Sequence, residues 1–201
     1  MTIQTIDRSK AKILRQALQA FRAFGYTTLT MAKLAEVCGL SRRGLYHHYK
    51  NKKEVFREAL RLNNMEDFEA GDAAGKAALA RGAGAVDVIA EWLDARFGNT
   101  RRNIGVIANG RDLNDAAFRL ASDIMIEVSY ESNRKLAELV DELVRRGDIR
   151  LRKEMTAEKI GRLLGDAARG VNQARPPVPN NLIGQHYRDI AEAILFGSVM
   201  S

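Results

Sequence analysis

Apolar residues recur at intervals of three and four along most of this 201-residue chain, the spacing of helices that each bury one face. In the stretch 7–24 they fall at Ile13, Leu14, Ala17, Leu18, Phe21 and Phe24, which predicts an amphipathic helix. Gly25 follows, where a helix C-terminus favours a residue able to take positive φ. A second, short helix is expected behind Thr30 as N-cap, burying Leu34, Ala35 and Val37 and ending at Gly39. Ser41 caps a third and Asn51 a fourth, with Glu54 expected to reach back to the Asn51 amide as in a capping box. Only Gly39 and Leu40 separate the second helix from the third, which is the pattern of a helix-turn-helix.

The fourth helix carries Val55, Phe56 and Leu60 towards Phe68 and then meets GDAAGKAALARGAGA. So many small residues predict a loop or a loose helix junction, and the boundary region between domains. Beyond it the pattern predicts a helix over 86–97, a short turn or helix over 104–109, and one long amphipathic helix over 112–146. Another should run from a Thr156 cap through Val171 until Pro176 to Pro179 forbid its continuation. The last is expected from 181 to about 199. No stretch alternates with the period of a strand, so the expected class is all-α with about nine helices. Residues 1–55 form the helix-turn-helix domain in this reading, and residues 56–201 a larger helical domain.

Charge adds a direction to this outline. The net charge is +7, but residues 1–62 hold 13 Lys and Arg against 4 Asp and Glu, a balance of +9, while the remainder holds 19 against 21, a balance of −2. A basic lobe on a near-neutral body implies a polyanionic partner at one end, nucleic acid first and an anionic membrane surface second. No apolar run approaches the length of a membrane span and the start MTIQTIDRSK has no leader-like form, so a cytoplasmic protein is expected. A single cysteine, Cys38, offers neither an internal disulfide nor a cysteine-based metal site.

The third helix is where charge and motif coincide. In a helix-turn-helix the second helix of the motif enters the major groove and its first turns meet base edges. Here that helix would present Arg42, Arg43, Gly44, Tyr46 and His47 to the bases, with Leu45 turned inward. Arginine can hold guanine bidentately, and a glycine allows close approach. Thr30, Ser41, His48, Tyr49 and Lys52 are expected at phosphates. Two adjacent histidines point about 100° apart on a helix and make a poor chelate. The third, His186, lies far along the chain, so neither a metal nor a catalytic role is assigned to the pair.

The run FGYTTLTMAKLAEVCGLSRRGLYHHYKNKKEVF resembles the DNA-binding domain of the TetR family of bacterial transcriptional regulators. The resemblance rests on Phe24-Gly25-Tyr26, Thr30, Leu34-Ala35, Gly39, Ser41, Leu45-Tyr46, Tyr49 and Lys52. Arg43, Gly44, Lys53 and Val55 depart from the family's usual residues, which leaves the fold expectation intact and the operator sequence open. The resemblance implies a ligand-responsive homodimer, more often a repressor, on a near-palindromic operator in double-stranded DNA. It further implies that the larger domain binds an effector and dimerises. For a small hydrophobic or amphipathic effector the candidates are Met65, Phe68, Trp92, Phe97, Ile104, Ile107, Phe118 and Met125. For the dimer they are Ile160, Leu164, Ala168, Val171, Tyr187, Ile190 and Ile194, with Gly161, Gly165 and Gly170 permitting close helix approach. These stripes equally suit the chain's own core. A dimeric DNA organiser without an effector is the alternative. The sequence has no nucleophile motif, metal-ligand spacing or phosphate loop that would suggest an enzyme, and no cofactor is expected.

Overall fold

The computed structural model describes residues 7–105, 109–174 and 176–198, and its regular elements are helical as the periodicity predicts. They are α1 Arg8–Phe24, α2 Met31–Val37, α3 Arg42–His48, α4 Lys52–Ala80, α5 Ala85–Leu93, α6 Asn99–Gly105, α7 Gly110–Leu120, α8 Ser122–Arg145, α9 Ala157–Gln173 and α10 Ile183–Ser198. A π-helical turn, Asp94–Gly98, joins α5 to α6, and a 3-10 turn, Asn180–Leu182, leads into α10. The chain divides into two compact units, Met1–Glu66 with Val106–Ile126, and Asp67–Gly105 with Glu127–Ser201.

In the first unit, Leu14, Leu18 and Phe21 of α1 pack with Leu34 and Ala35 of α2, Leu45 of α3 and Val55, Phe56 and Ala59 of α4. Phe21 meets Phe56 edge-on at 4.9 Å, and Tyr26 lies 5.0 Å from Phe56. Asp7, Thr30 and Ser41 cap α1, α2 and α3 by accepting from the amides of Ser9, Lys33 and Gly44, so the hydroxyl and carboxylate side chains start these helices where the sequence places them. Asn51 accepts from the Glu54 amide at 2.9 Å, but the Glu54 carboxylate takes the Lys50 amide at 2.7 Å, one residue before the cap.

The first unit extends beyond the helix-turn-helix. α7 closes its core with Leu113, Ala116 and Ala117. The Asp112 carboxylate accepts from the Thr27 amide at 3.0 Å and its hydroxyl at 2.6 Å, and Asn109 donates to the Ala23 carbonyl at 2.9 Å. The single helix expected over 112–146 is broken at Ala121, whose φ of −142° leaves the helical region. Arg57 stabilises the break: its guanidinium donates to the Leu120 carbonyl at 2.8 Å and to both Asp123 oxygens at 2.7 and 2.6 Å. A periodicity search sees only which residues are apolar, and the apolar stripe runs on across the break.

The second unit corrects the reading of the small-residue stretch, which is helix to Ala80. Its glycines make room for Trp92: a Cβ at Gly71 would lie 3.2 Å from the indole, and one at Gly75 equally close. The buried indole N–H donates to Asp72 at 3.1 Å. Around Trp92 the core gathers Ile89, Leu93, Val140, Leu164 and Tyr187. Close helix approach also occurs at Gly161, but within this chain, since a Cβ there would sit 2.6 Å from the Asn133 carbonyl oxygen of α8. Gly170 has nothing within 4 Å of such a Cβ. No described helix is long and apolar enough to cross a membrane.

Candidate nucleic-acid interface

α3 is fixed from below and bare above. Leu45 is wholly buried, while Arg42, Arg43, Tyr46, His47 and His48 are exposed and Gly44 is half-buried. Among the described residues neither Arg42 nor Arg43 forms an ion pair, and the Arg42 guanidinium lies 5.7 Å from the Tyr46 ring centroid. Two guanidinium forks and a phenol are thus available at the start of a helix whose Gly44 amide is held by the Ser41 cap. A Cβ at Gly44 would come to 3.2 Å from the Ser41 hydroxyl, so glycine relieves crowding at that cap and leaves the outer surface of the helix low.

The residues expected at phosphates separate into two groups. Thr30, Ser41 and His48 are exposed, and the two hydroxyls, which accept as caps, each keep an O–H to donate. Tyr49 is a correction: it is 2% exposed, packed in the core of the unit. It stands four residues after Leu45 and shares its inward face, a relation that the spacing already contained. Burial above all, and then the nearby Glu58, Cys38 and Glu54, push its phenol up to about 12. Lys52 differs as well. Its ammonium donates to the carbonyls of Tyr26 at 2.6 Å, Leu29 at 2.7 Å and Thr27 at 3.3 Å and lies 4.5 Å from the Tyr26 ring centroid. Three N–H groups and three carbonyls match, so in this structure Lys52 holds the α1–α2 turn against the start of α4. Burial pulls its pKa down, opposed by Asp112. Lys50 and Lys53, neither of them among the residues expected at phosphates, are exposed on either side of it. The run of basic residues was the available signal; which of them turns inward was not visible in it.

His47 and His48 lie with ring centroids 5.6 Å apart, and no group of three metal-binding side chains occurs among the described residues.

The expected effector residues divide between the two units. Met65 and Met125 pack on the first unit's core, whereas Trp92 and Phe97 are buried in the second unit's core with Phe68 against it. Phe118 is 48% exposed. The side chain of Ile104 and all of Ile107 lie outside the described residues. Five of the expected dimer residues are corrected, since Ile160, Leu164, Ala168, Val171 and Tyr187 are buried in the chain's own core; Ile190 and Ile194 pack against that core and keep a half-exposed surface. The faces of α9 and α10 left to solvent carry Leu163, 44% exposed, and Phe196, 64% exposed.

Residues 13–59 match the family model described as bacterial regulatory proteins, tetR family. Over 49 residues the chain is 43% identical to the HTH-type transcriptional repressor AcnR of Corynebacterium jeikeium (strain K411), covering 24% of this chain and 26% of that protein. The chain thus spans about a quarter of that relative's length. The fold is similar over nearly the whole chain to a transcriptional regulator from Pseudomonas aeruginosa PAO1, with a TM-score of 0.71, 16% identity and coverage of 96% of this chain and 92% of that one. A TetR-family transcriptional regulator from Rhodococcus sp. gives a TM-score of 0.68 at 15% identity, covering 94% of this chain and 100% of that one.

Proposed function

We propose that the chain, whose residues 13–59 match the tetR family model, is a TetR-family transcriptional regulator that works as a homodimer, binds a near-palindromic operator and leaves it when an effector binds. TetR-family regulators are DNA-binding proteins rather than enzymes. The observation that carries the operator reading is the bare face of α3, where Arg42 and Arg43 stand exposed with no carboxylate to satisfy them among the described residues. Arg43 and Arg42 read guanine edges, each bidentate pair worth about 1–3 kcal/mol of discrimination. Tyr46 and His47 face the neighbouring bases. Thr30, Ser41, His48, Lys50 and Lys53 take the phosphates, which fix register without reading sequence. A relative 43% identical over 49 residues is named a transcriptional repressor, and repression is the role proposed here.

A second copy of the chain covers the solvent faces of α9 and α10, through Leu163 and Phe196 and the half-buried Ile190 and Ile194. Twofold symmetry then sets the two α3 helices about 34 Å apart, one DNA turn. An effector that prefers a different spacing draws the population off the operator, and a coupling of about 1–3 kcal/mol suffices to change promoter occupancy.

Selection of genomic DNA fragments on the purified protein tests this reading. Enrichment of a near-palindrome with two half-sites one turn apart is the expected result. Strong binding with no enriched sequence would contradict it and favour a non-specific DNA organiser.

A further inference from the structure

Every Asp and Glu of the chain lies among the described residues, so each arginine in the interior of the second unit can be matched to a carboxylate or found without one. Three arginines are concentrated in the π-helical turn and α6. Arg96 is buried with its guanidinium 4.2 Å from the Phe68 centroid and 4.8 Å from that of Phe97, and 3.8 Å from the Asp67 carboxylate. Arg102 donates to both oxygens of Asp94 at 2.8 and 3.2 Å. Arg101 has no such partner. It is 6% exposed, forms no ion pair among the described residues, leaves its Nε–H without an acceptor, and reaches only the Val178 carbonyl at 3.5 Å. Tyr187, wholly buried on α10, lies in the field of all three guanidiniums and of Asp94, so these charges share one neighbourhood.

A guanidinium cannot escape burial by losing its proton, and a buried charge without a counter-ion is among the costliest groups a core can hold. Proteins keep such a group where binding uses it. We propose that Arg101 anchors a site for a small organic carboxylate, whose two oxygens meet the guanidinium fork and give it the negative charge that Asp67 and Asp94 give its neighbours. Bidentate geometry suits arginine and a carboxylate. Phe97, four residues before Arg101, Val178, whose carbonyl it reaches, and Tyr187 belong to the apolar core and give this charged neighbourhood an apolar side, which favours an aromatic or aliphatic acid over an inorganic anion. This carboxylate is the effector of the regulator, and in that respect the proposal rests on the ligand-responsive reading above.

The test is thermal denaturation of the full chain with benzoate, phenylacetate and octanoate as probes, their methyl esters as neutral counterparts, and inorganic phosphate as a further arm. At least one acid is expected to raise Tm with concentration while its ester does not, and Arg101→Gln should abolish the shift. Arg101→Lys, which keeps the charge and loses the fork, should weaken binding about tenfold. With no ligand, Arg101→Met should raise Tm by about 2–4 °C, as removal of an uncompensated buried charge does in a chain of this size. The proposal is overturned if no acid shifts Tm, if phosphate alone does, if esters act as well as acids, if the shift survives Arg101→Gln, or if Arg101→Met lowers Tm. Operator affinity with and without the acid separates this claim from the one it rests on. An acid that binds through Arg101 and leaves operator affinity unchanged supports the site and contradicts ligand control. A neutral compound that releases the operator while the acids do nothing supports ligand control and contradicts the site.

Discussion

The arginines of α3 and those in the interior of the second unit sit in opposite surroundings. On α3, Arg42 and Arg43 are exposed and without a carboxylate among the described residues, whereas in the second unit Arg96 and Arg101 are buried. Water solvates an exposed guanidinium at little cost to stability, so the bare face of α3 can wait for DNA. Burial removes that solvation, and each buried guanidinium then needs a partner: Asp67 and two aromatic rings for Arg96, and for Arg101 only the Val178 carbonyl, with no carboxylate among the described residues. Positive charge is thus solvated on α3, while inside the second unit it calls for a counter-ion.

The contrast breaks hardest through the cores that support each unit. Trp92→Ala removes the side chain on which the second unit packs and should cost about 3–5 kcal/mol, read as a lower midpoint in urea denaturation. Gly161→Ala should cost about 1–3 kcal/mol, because the new Cβ meets the backbone of α8 rather than a side chain able to move. Lys52→Met tests whether the basic face is uniform. Loss of three hydrogen bonds from one ammonium should lower stability by about 1–3 kcal/mol, while Lys53→Ala should leave stability unchanged and make the salt dependence of DNA binding shallower by about one.

A smaller effect concerns acid. Contacts with Thr27 hold the Asp112 pKa below its ordinary 3.8, and the Arg57 bonds hold that of Asp123 lower still. A carboxylate depressed in the folded state contributes stability that is complete above its unfolded pKa and is lost as pH falls through the folded one. The Tm of the wild type should therefore drop from about pH 4 downward, and that of Asp112→Asn should depend less steeply on pH there. Least of all, Tyr49→Phe removes a buried hydroxyl that has no partner among the described residues and should leave both DNA affinity and stability nearly unchanged.

Much of the first unit was legible in the sequence because its signals are local. Caps at Thr30 and Ser41, a short turn at Gly39 and an apolar period each depend on residues within one helical turn. The break at Ala121 was not legible, since its support comes from Arg57, more than sixty residues earlier. Nor was the helical state of the glycines opposite Trp92, which depends on what packs against them. The apolar stripes of α9 and α10 were correctly located, but a stripe does not say whether its partner is the same chain or another copy. Tyr49 and Lys52 show the same limit within the site: residue type suggested a phosphate contact, and the three-dimensional neighbourhood turned both inward.

The most direct test of the central claim, that α3 reads base edges through exposed arginines, is to select DNA fragments in parallel on the wild type and on Arg43→Ala. The variant should still bind DNA and remain folded, but lose preference at the same one or two positions of each half-site. Enrichment of the same sequence with the same strength at every position would contradict it.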